Sequence, residues 1–248
     1  MAQTIDEVIA RLVEIKAASR SAAHRIGYFT SLYLKVTTCV KEGITQGRFH
    51  DGARMEALDV AFANRFIQAY DLWQNRSLTT SSWSAAFETA GLWKPLILQH
   101  LLLGINAHIN LDLGIAAQQT CPGEKLLPLH PDFEMINTIL AELFLPLQEN
   151  MNNMSPWIGF LNSISKKTDD AVINFSMNIA RNEAWQFALY LNTLNTAQKI
   201  VAIQKRDVEI AALANKVTNP KGFAINAGLM VIRLREINNV SKVIDLLG

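Results

Sequence analysis

The residues of this sequence that could do chemistry gather in and around one apolar stretch, residues 93–119. Within it stand His100, Asn106, His108, Asn110 and Asp112, polar groups that cost free energy if buried without partners. At roughly 100° per helical residue, His108 and Asp112 share one face as an i, i+4 pair, and Asn106 and Asn110 lie nearly opposite. An imidazole and a carboxylate at that spacing can present two ligands to one divalent metal such as zinc. His24 and Asp59, which begin or line neighbouring helices, would complete such a set, with Asp207 or Glu236 as an outer acceptor or general base.

Three further acids interrupt apolar stripes. Asp59 lies among Phe62, Ala63 and Phe66, Asp207 among Ile200, Ile203, Ile210 and Ala214, and Glu236 among Leu229, Ile232, Val240 and Val243. Asp170, Asn174, Asn178, Arg181 and Trp185 form a mixed stripe on another helix. One reading is structural: Arg181 bridges one or two carboxylates, and the asparagines satisfy exposed backbone groups. The other is a lined cavity, with His108, Asp112, Asp59 and Arg181 as the catalytic set. Tyr28, His100, Asn106, Trp185, Asp207 and Glu236 would then form the wall of a substrate pocket.

That cavity suits an enzyme acting on a small, largely apolar substrate. A buried carboxylate raised in pKa would serve as acid or base, and Arg181 would hold an anionic group. The chemistry is either metal-dependent hydrolysis or a metal-free acid/base isomerisation or cyclisation; the alternative is a non-catalytic carrier of a hydrophobic ligand. The chain contains no GxGxxG after a strand, no GxxxxGK[ST], no GxSxG and no HExxH. Cys39 and Cys121 stand alone, with no CxxC spacing to indicate a disulfide framework or a zinc site.

The elements that would position these groups read as helices throughout. Thr4 with Asp6 and Glu7 caps a first helix to about Ser19, and a second runs from Ser21 to about Gln46, before a loop at residues 48–52. A third spans about Ala53 to Arg76, with Asn64, Gln68, Asp71 and Asn75 outward. A short helix capped by Ser81 or Ser82 precedes the central one. Residues 120–131, with three prolines and a glycine, predict an irregular loop. Asp132 opens a helix that Pro146 should kink or end, and Ser155-Pro156-Trp157 starts a short segment. Thr168 with Asp169 and Asp170 caps a helix to about Asn195, followed by Ala197 to about Val217 and by a last helix from Phe223 to Leu247. No segment alternates long enough to argue a sheet. The expectation is a single all-α domain over 1–248, a bundle of about seven to nine helices around residues 93–119.

Composition narrows the function classes. The 248 residues are 50% hydrophobic and only 18% charged, against the usual ~25% charged; this suggests a large core or a homodimer interface. With 23 basic and 22 acidic residues and a net charge of +1, nothing favours nucleic acid or acidic lipid. The five tryptophans have no interleaved basic residues to make a stacking platform. Asp112, the histidines and the asparagines argue against a membrane span over residues 95–117. The acidic N-terminus does not read as an export signal, so the expected setting is cytoplasmic.

GINAHINLDL at 104–113 resembles a bacterial family known as domain of unknown function 5995. The likeness extends through YFTSLYLKVT at 28–37, Phe49 and Asp51, and Arg181, Glu183 and Trp185, and so spans most of the chain. It adds weight to His108, Asp112, Arg181 and Trp185 but implies no reaction. A narrower similarity, His108-x-x-x-Asp112 alone, is to zinc-dependent phospholipases C and related helical nucleases, and implies phosphodiester hydrolysis at a zinc cluster. Those enzymes are secreted, ligate metal through an N-terminal tryptophan and need more histidines than the five here.

Overall fold

The computed structural model describes residues 1–154 and 177–248, with backbone alone over 144–154. The described chain is all helical: α1 (Ile5–Ser21), α2 (Ile26–Thr45), α3 (Gly52–Gln74), α4 (Ser81–Ala90), α5 (Ile97–Ala107), α6 (Gly114–Thr120), α7 (His130–Met154), α8 (Met177–Asn192), α9 (Thr196–Thr218), α10 (Phe223–Arg233) and α11 (Val240–Leu247). A π-helical turn, His108–Leu113, joins α5 to α6 without a break. Every residue from 99 to 118 is buried; α2, α3, α4, α8 and α9 pack around this central rod, as an all-round apolar helix requires.

Two glycines let neighbours approach it closely. A Cβ on Gly104 would meet the Phe29 ring at 2.5 Å, and one on Gly114 would meet the Ala184 carbonyl oxygen at 2.5 Å. The rod starts at Ile97 rather than Trp93, because Pro95 disfavours helix in the residue before it. Trp93 is 43% exposed and donates Nε1–H to Asn238 Oδ1 at 3.1 Å.

Buried acids hold the helix ends. Asp207 on α9 accepts from Ser81 N at 2.7 Å and Ser82 N at 2.9 Å, and so caps α4 from another helix. Glu236 accepts from Ile97 N at 3.1 Å and caps α5. Asp132, 0% exposed, accepts from His50 N, Asp51 N and Arg54 Nη2, at the start of α3. Asp207 and Glu236 satisfy orphan N–H groups at a positive helix terminus, and Asp132 satisfies the two N–H groups that lead into α3. The inward turn of Asp207 and Glu236 is therefore correct, but they belong to helix ends rather than to a pocket wall.

Other expectations change as well. Asn64 is buried, not outward, because it exchanges hydrogen bonds with the backbone of Ala2. The last helix is two, broken at 234–239, where Asn239 caps α11 by accepting from Lys242 N. Residues 120–131 contain two short 3₁₀ turns, Gly123–Lys125 and Leu127–Leu129, and α7 opens at His130 and runs through Pro146. Ser155-Pro156-Trp157 and the cap at Thr168, Asp169 and Asp170, with Asn174 of the mixed stripe, lie outside the described residues. Among those described, no helix is long and apolar enough to cross a membrane.

Asp207→Ala leaves two amide N–H groups at the start of α4 without acceptors. The expected loss is about 2–3 kcal/mol of unfolding free energy, read by urea denaturation. A change within about 0.5 kcal/mol, the range of an ordinary surface substitution, would show that this cap contributes little.

Candidate functional site

The π turn sets the geometry of the centre. Within it Asn110 O accepts from Arg206 Nε at 3.1 Å, and such turns recur at functional sites. On its other side Asp112 is fully engaged: Arg65 Nε donates to Oδ1 at 2.7 Å and Trp83 Nε1 to Oδ2 at 2.8 Å. Burial alone would raise the Asp112 carboxyl, but Arg65, His108 and Trp83 together hold it below the usual range.

His108, 2% exposed, stacks on Phe62 with ring centroids 3.6 Å apart and 9° between planes. Tyr33 meets it edge-on at 4.4 Å. Its Nδ1 lies 3.7 Å from Asp112 Oδ2, beyond hydrogen-bond range, and neither ring nitrogen has a hydrogen-bond partner among the described residues. Burial lowers its pKa against the opposing pull of Asp112, so the imidazole is neutral.

A cavity of about 80 Å³ opens beside this imidazole, between α2, α3, the central rod, α7 and α8. Its wall is mostly aliphatic and aromatic, and Tyr33, Asp59, His108 and Arg181 supply the polar chemistry. Since a water needs roughly 10–15 Å³, the space admits several waters or one small molecule. Asp59 sits on α3 with Oδ2 buried and without a hydrogen-bond partner among the described residues. Burial, reinforced by Glu56, raises its pKa to about 7. Arg181 is 3% exposed, and donates Nε–H to Asn137 Oδ1 and Nη2–H to Phe133 O, each at 2.5 Å. Its guanidinium lies over the Phe133 ring, 4.4 Å from the centroid. Burial lowers its pKa to about 10, which leaves it charged. It bridges no carboxylate among the described residues, contrary to the structural reading of the sequence.

Asp59, His108 and Arg181 thus share the cavity, while Asp112 stands behind His108 and faces Arg65 and Trp83. The remaining wall candidates lie elsewhere. Tyr28 and His100 pack edge-on, 5.9 Å apart, with burial raising the Tyr28 phenol to about 12 and lowering His100 to about 3. Asn106 donates to Ile210 O and accepts from Asn110, and Trp185 backs the cavity wall against Phe133 and His130. Tyr33, Arg65 and Trp83 were not identified from the sequence as site residues. Arg65 reaches Asp112 from the border between the inner and outer faces of α3, where helical periodicity does not separate inward from outward positions.

The proposed metal ligands do not fit an ion. Both Asp112 oxygens already accept from strong donors, and its charge is met by Arg65. His24 sits in the turn before α2 against Trp73, ring centroids 5.0 Å apart. Asp59 faces the cavity, and among the described residues no three His, Cys, Asp or Glu side chains converge as a ligand set. On the His108-x-x-x-Asp112 spacing, Asp112 is engaged by Arg65 and Trp83 rather than turned with His108 toward a shared ion.

The model of a family described as "Family of unknown function (DUF5995)" matches residues 5–220, most of the chain. No curated protein and no solved structure matches it.

The raised pKa of Asp59 has a signed consequence. Between about pH 4 and 7 the folded protein holds a proton that the unfolded chain releases, so stability from this group is complete below pH 3.8 and is lost as pH rises through about 7. Asp59→Asn removes that loss and is expected to stabilise the protein at pH 8 by on the order of 2–4 kcal/mol relative to pH 4. Paired urea melts from pH 4 to 8 check this, and parallel pH profiles for the two proteins would contradict it.

Proposed function

The chain belongs to the DUF5995 family, and from that premise and the chemistry of its cavity we propose that it is an acid/base enzyme acting on a small, largely apolar substrate. The family brings no reaction with it. The observation that carries the reading is the state of Asp59: a buried carboxyl with one oxygen unpartnered among the described residues, on the wall of a mostly apolar cavity. Asp112, Asp132, Asp207 and Glu236 are equally buried, yet each accepts from named donors.

A carboxyl with a pKa of about 7 is present in both protonation states near neutrality, which suits a group that takes a proton and returns it. The neutral His108 imidazole and the Tyr33 hydroxyl offer hydrogen bonds to a substrate oxygen from the same wall. Arg181 supplies positive charge for an anion or a developing oxyanion. Once a substrate fills the apolar space, these contacts act in a low dielectric. The reaction class is proton transfer, as in an isomerisation or cyclisation. Proton transfer is preferred to metal-dependent hydrolysis because no three metal-ligating side chains converge among the described residues.

The apolar lining also favours a second reading, a passive carrier of a hydrophobic molecule. Incubating the protein in D₂O with an organic extract of its own cells separates the two. The enzyme reading expects a low-mass apolar compound to gain solvent deuterium, at a rate about 10²-fold or more lower with Asp59→Asn. No deuterium above the protein-free control would contradict catalysis and leave the carrier.

A further inference from the structure

The charge balance of the cavity narrows the ligand further. Arg181 is a buried cation whose described hydrogen-bond partners, Phe133 O and Asn137 Oδ1, are both neutral. No carboxylate among the described residues lies within ion-pair distance of it. A buried charge without a counter-charge is costly. Two of the five guanidinium N–H groups are engaged, so the planar fork retains donors for a carboxylate, whose two oxygens it matches. The rest of the described wall is hydrocarbon with the neutral Tyr33 and His108 and with Asp59, which sheds its charge by taking a proton. One anionic charge therefore balances Arg181, and a dianion such as a phosphate monoester would bring a second charge that no cation among the described lining residues meets.

We propose that the ligand of the cavity is a small apolar monocarboxylic acid, bound as its anion with the head group on Arg181 and the hydrocarbon part against the aliphatic wall. This names the substrate class of the acid/base site and rests on that reading. Glu56, on the same helix, acts on Asp59 with like charge, while Tyr33 on α2, His108 on the central rod, with the Asp112–Arg65 pair behind it, and Arg181 on α8 line the same cavity as Asp59; Glu134 on α7 is exposed and acts on Arg181. Adding an anion to that enclosure disfavours ionised Asp59, so Asp59 takes one proton from solvent as the ligand enters: the carboxylate–carboxylate pair becomes a carboxylic acid beside a carboxylate, with no net charge added to the cavity.

Calorimetric titration of the full-length protein with butanoate, hexanoate, octanoate and benzoate, each against its primary amide, tests this. At least one carboxylate is expected to bind tenfold or more tightly than its amide. Arg181→Gln should abolish the preference while leaving amide binding in place; if that variant does not fold, Arg181→Lys, which keeps the charge but loses the fork, should reduce it. Binding heats at pH 7.5 in phosphate and in Tris should report uptake of more than half a proton per ligand by the wild type and none by Asp59→Asn. Amides that bind as tightly as carboxylates, or no carboxylate binding at millimolar concentration, overturn the proposal. Tight, Arg181-dependent carboxylate binding without deuterium incorporation would end the catalytic reading and keep this ligand class. Deuterium incorporation into a neutral compound, with no carboxylate preference, would do the reverse.

Discussion

The contact of Arg65 and Trp83 with the two oxygens of Asp112 is the constraint on which the rest of the centre depends. It joins α3 and α4 to the π turn, and so fixes the one irregular segment of a rod buried from residue 99 to 118. With Asp112 held there, the His108 ring one turn earlier is confined between Phe62 and Tyr33. The same arrangement leaves its nitrogens beside the cavity without partners among the described residues. Asp112 and Arg65 do not themselves face the cavity. Their role is to set the position of the group that does, whose neutral state comes from its burial.

A general pattern surrounds this contact: buried acids in this protein are matched to donors. Asp132, Asp207 and Glu236 each sit at the start of a helix contributed by a distant part of the chain, where hydrogen bonds and the helix dipole both favour a carboxylate. Asp59 departs from that pattern. It lies within α3, away from any helix N-terminus, and its buried oxygen meets an apolar cavity instead of a donor. A conflict of this kind, local chemistry set against stability, is expected at functional positions more than in the frame that supports them.

The helical class was legible because apolar spacing and capping residues agree over most of the chain. Thr4 caps α1 as its place before Asp6 and Glu7 predicts, and the central stretch is buried as its uniform apolarity requires. The inward turn of Asp59, Asp207 and Glu236 was also legible from the stripes they interrupt. What each does was not, because spacing along one helix says nothing of the partner across it. Asp207 meets α4 and Glu236 meets α5, contacts more than 120 residues apart in sequence. The His108–Asp112 spacing suggested a metal for the same reason: Arg65 and Trp83, which occupy Asp112, come from other helices. The π turn left no mark that a regular 3.6-residue period could reveal, and the break before α11 depends on Asn239 reaching Lys242 N, a local cap inside an otherwise continuous apolar pattern.

Both the chemistry and the ligand proposed for the cavity require Asp59 to be a carboxyl that changes protonation near neutrality. The most direct measurement is a ¹³C NMR titration of aspartate side-chain carboxyls between pH 3 and 9, with the Asp59 signal assigned by its loss in Asp59→Asn. The expected midpoint is near 7, well above the ordinary ~3.9 for aspartate. A midpoint near 4 would mean that Asp59 is solvated or paired like any surface acid, and would contradict the central claim.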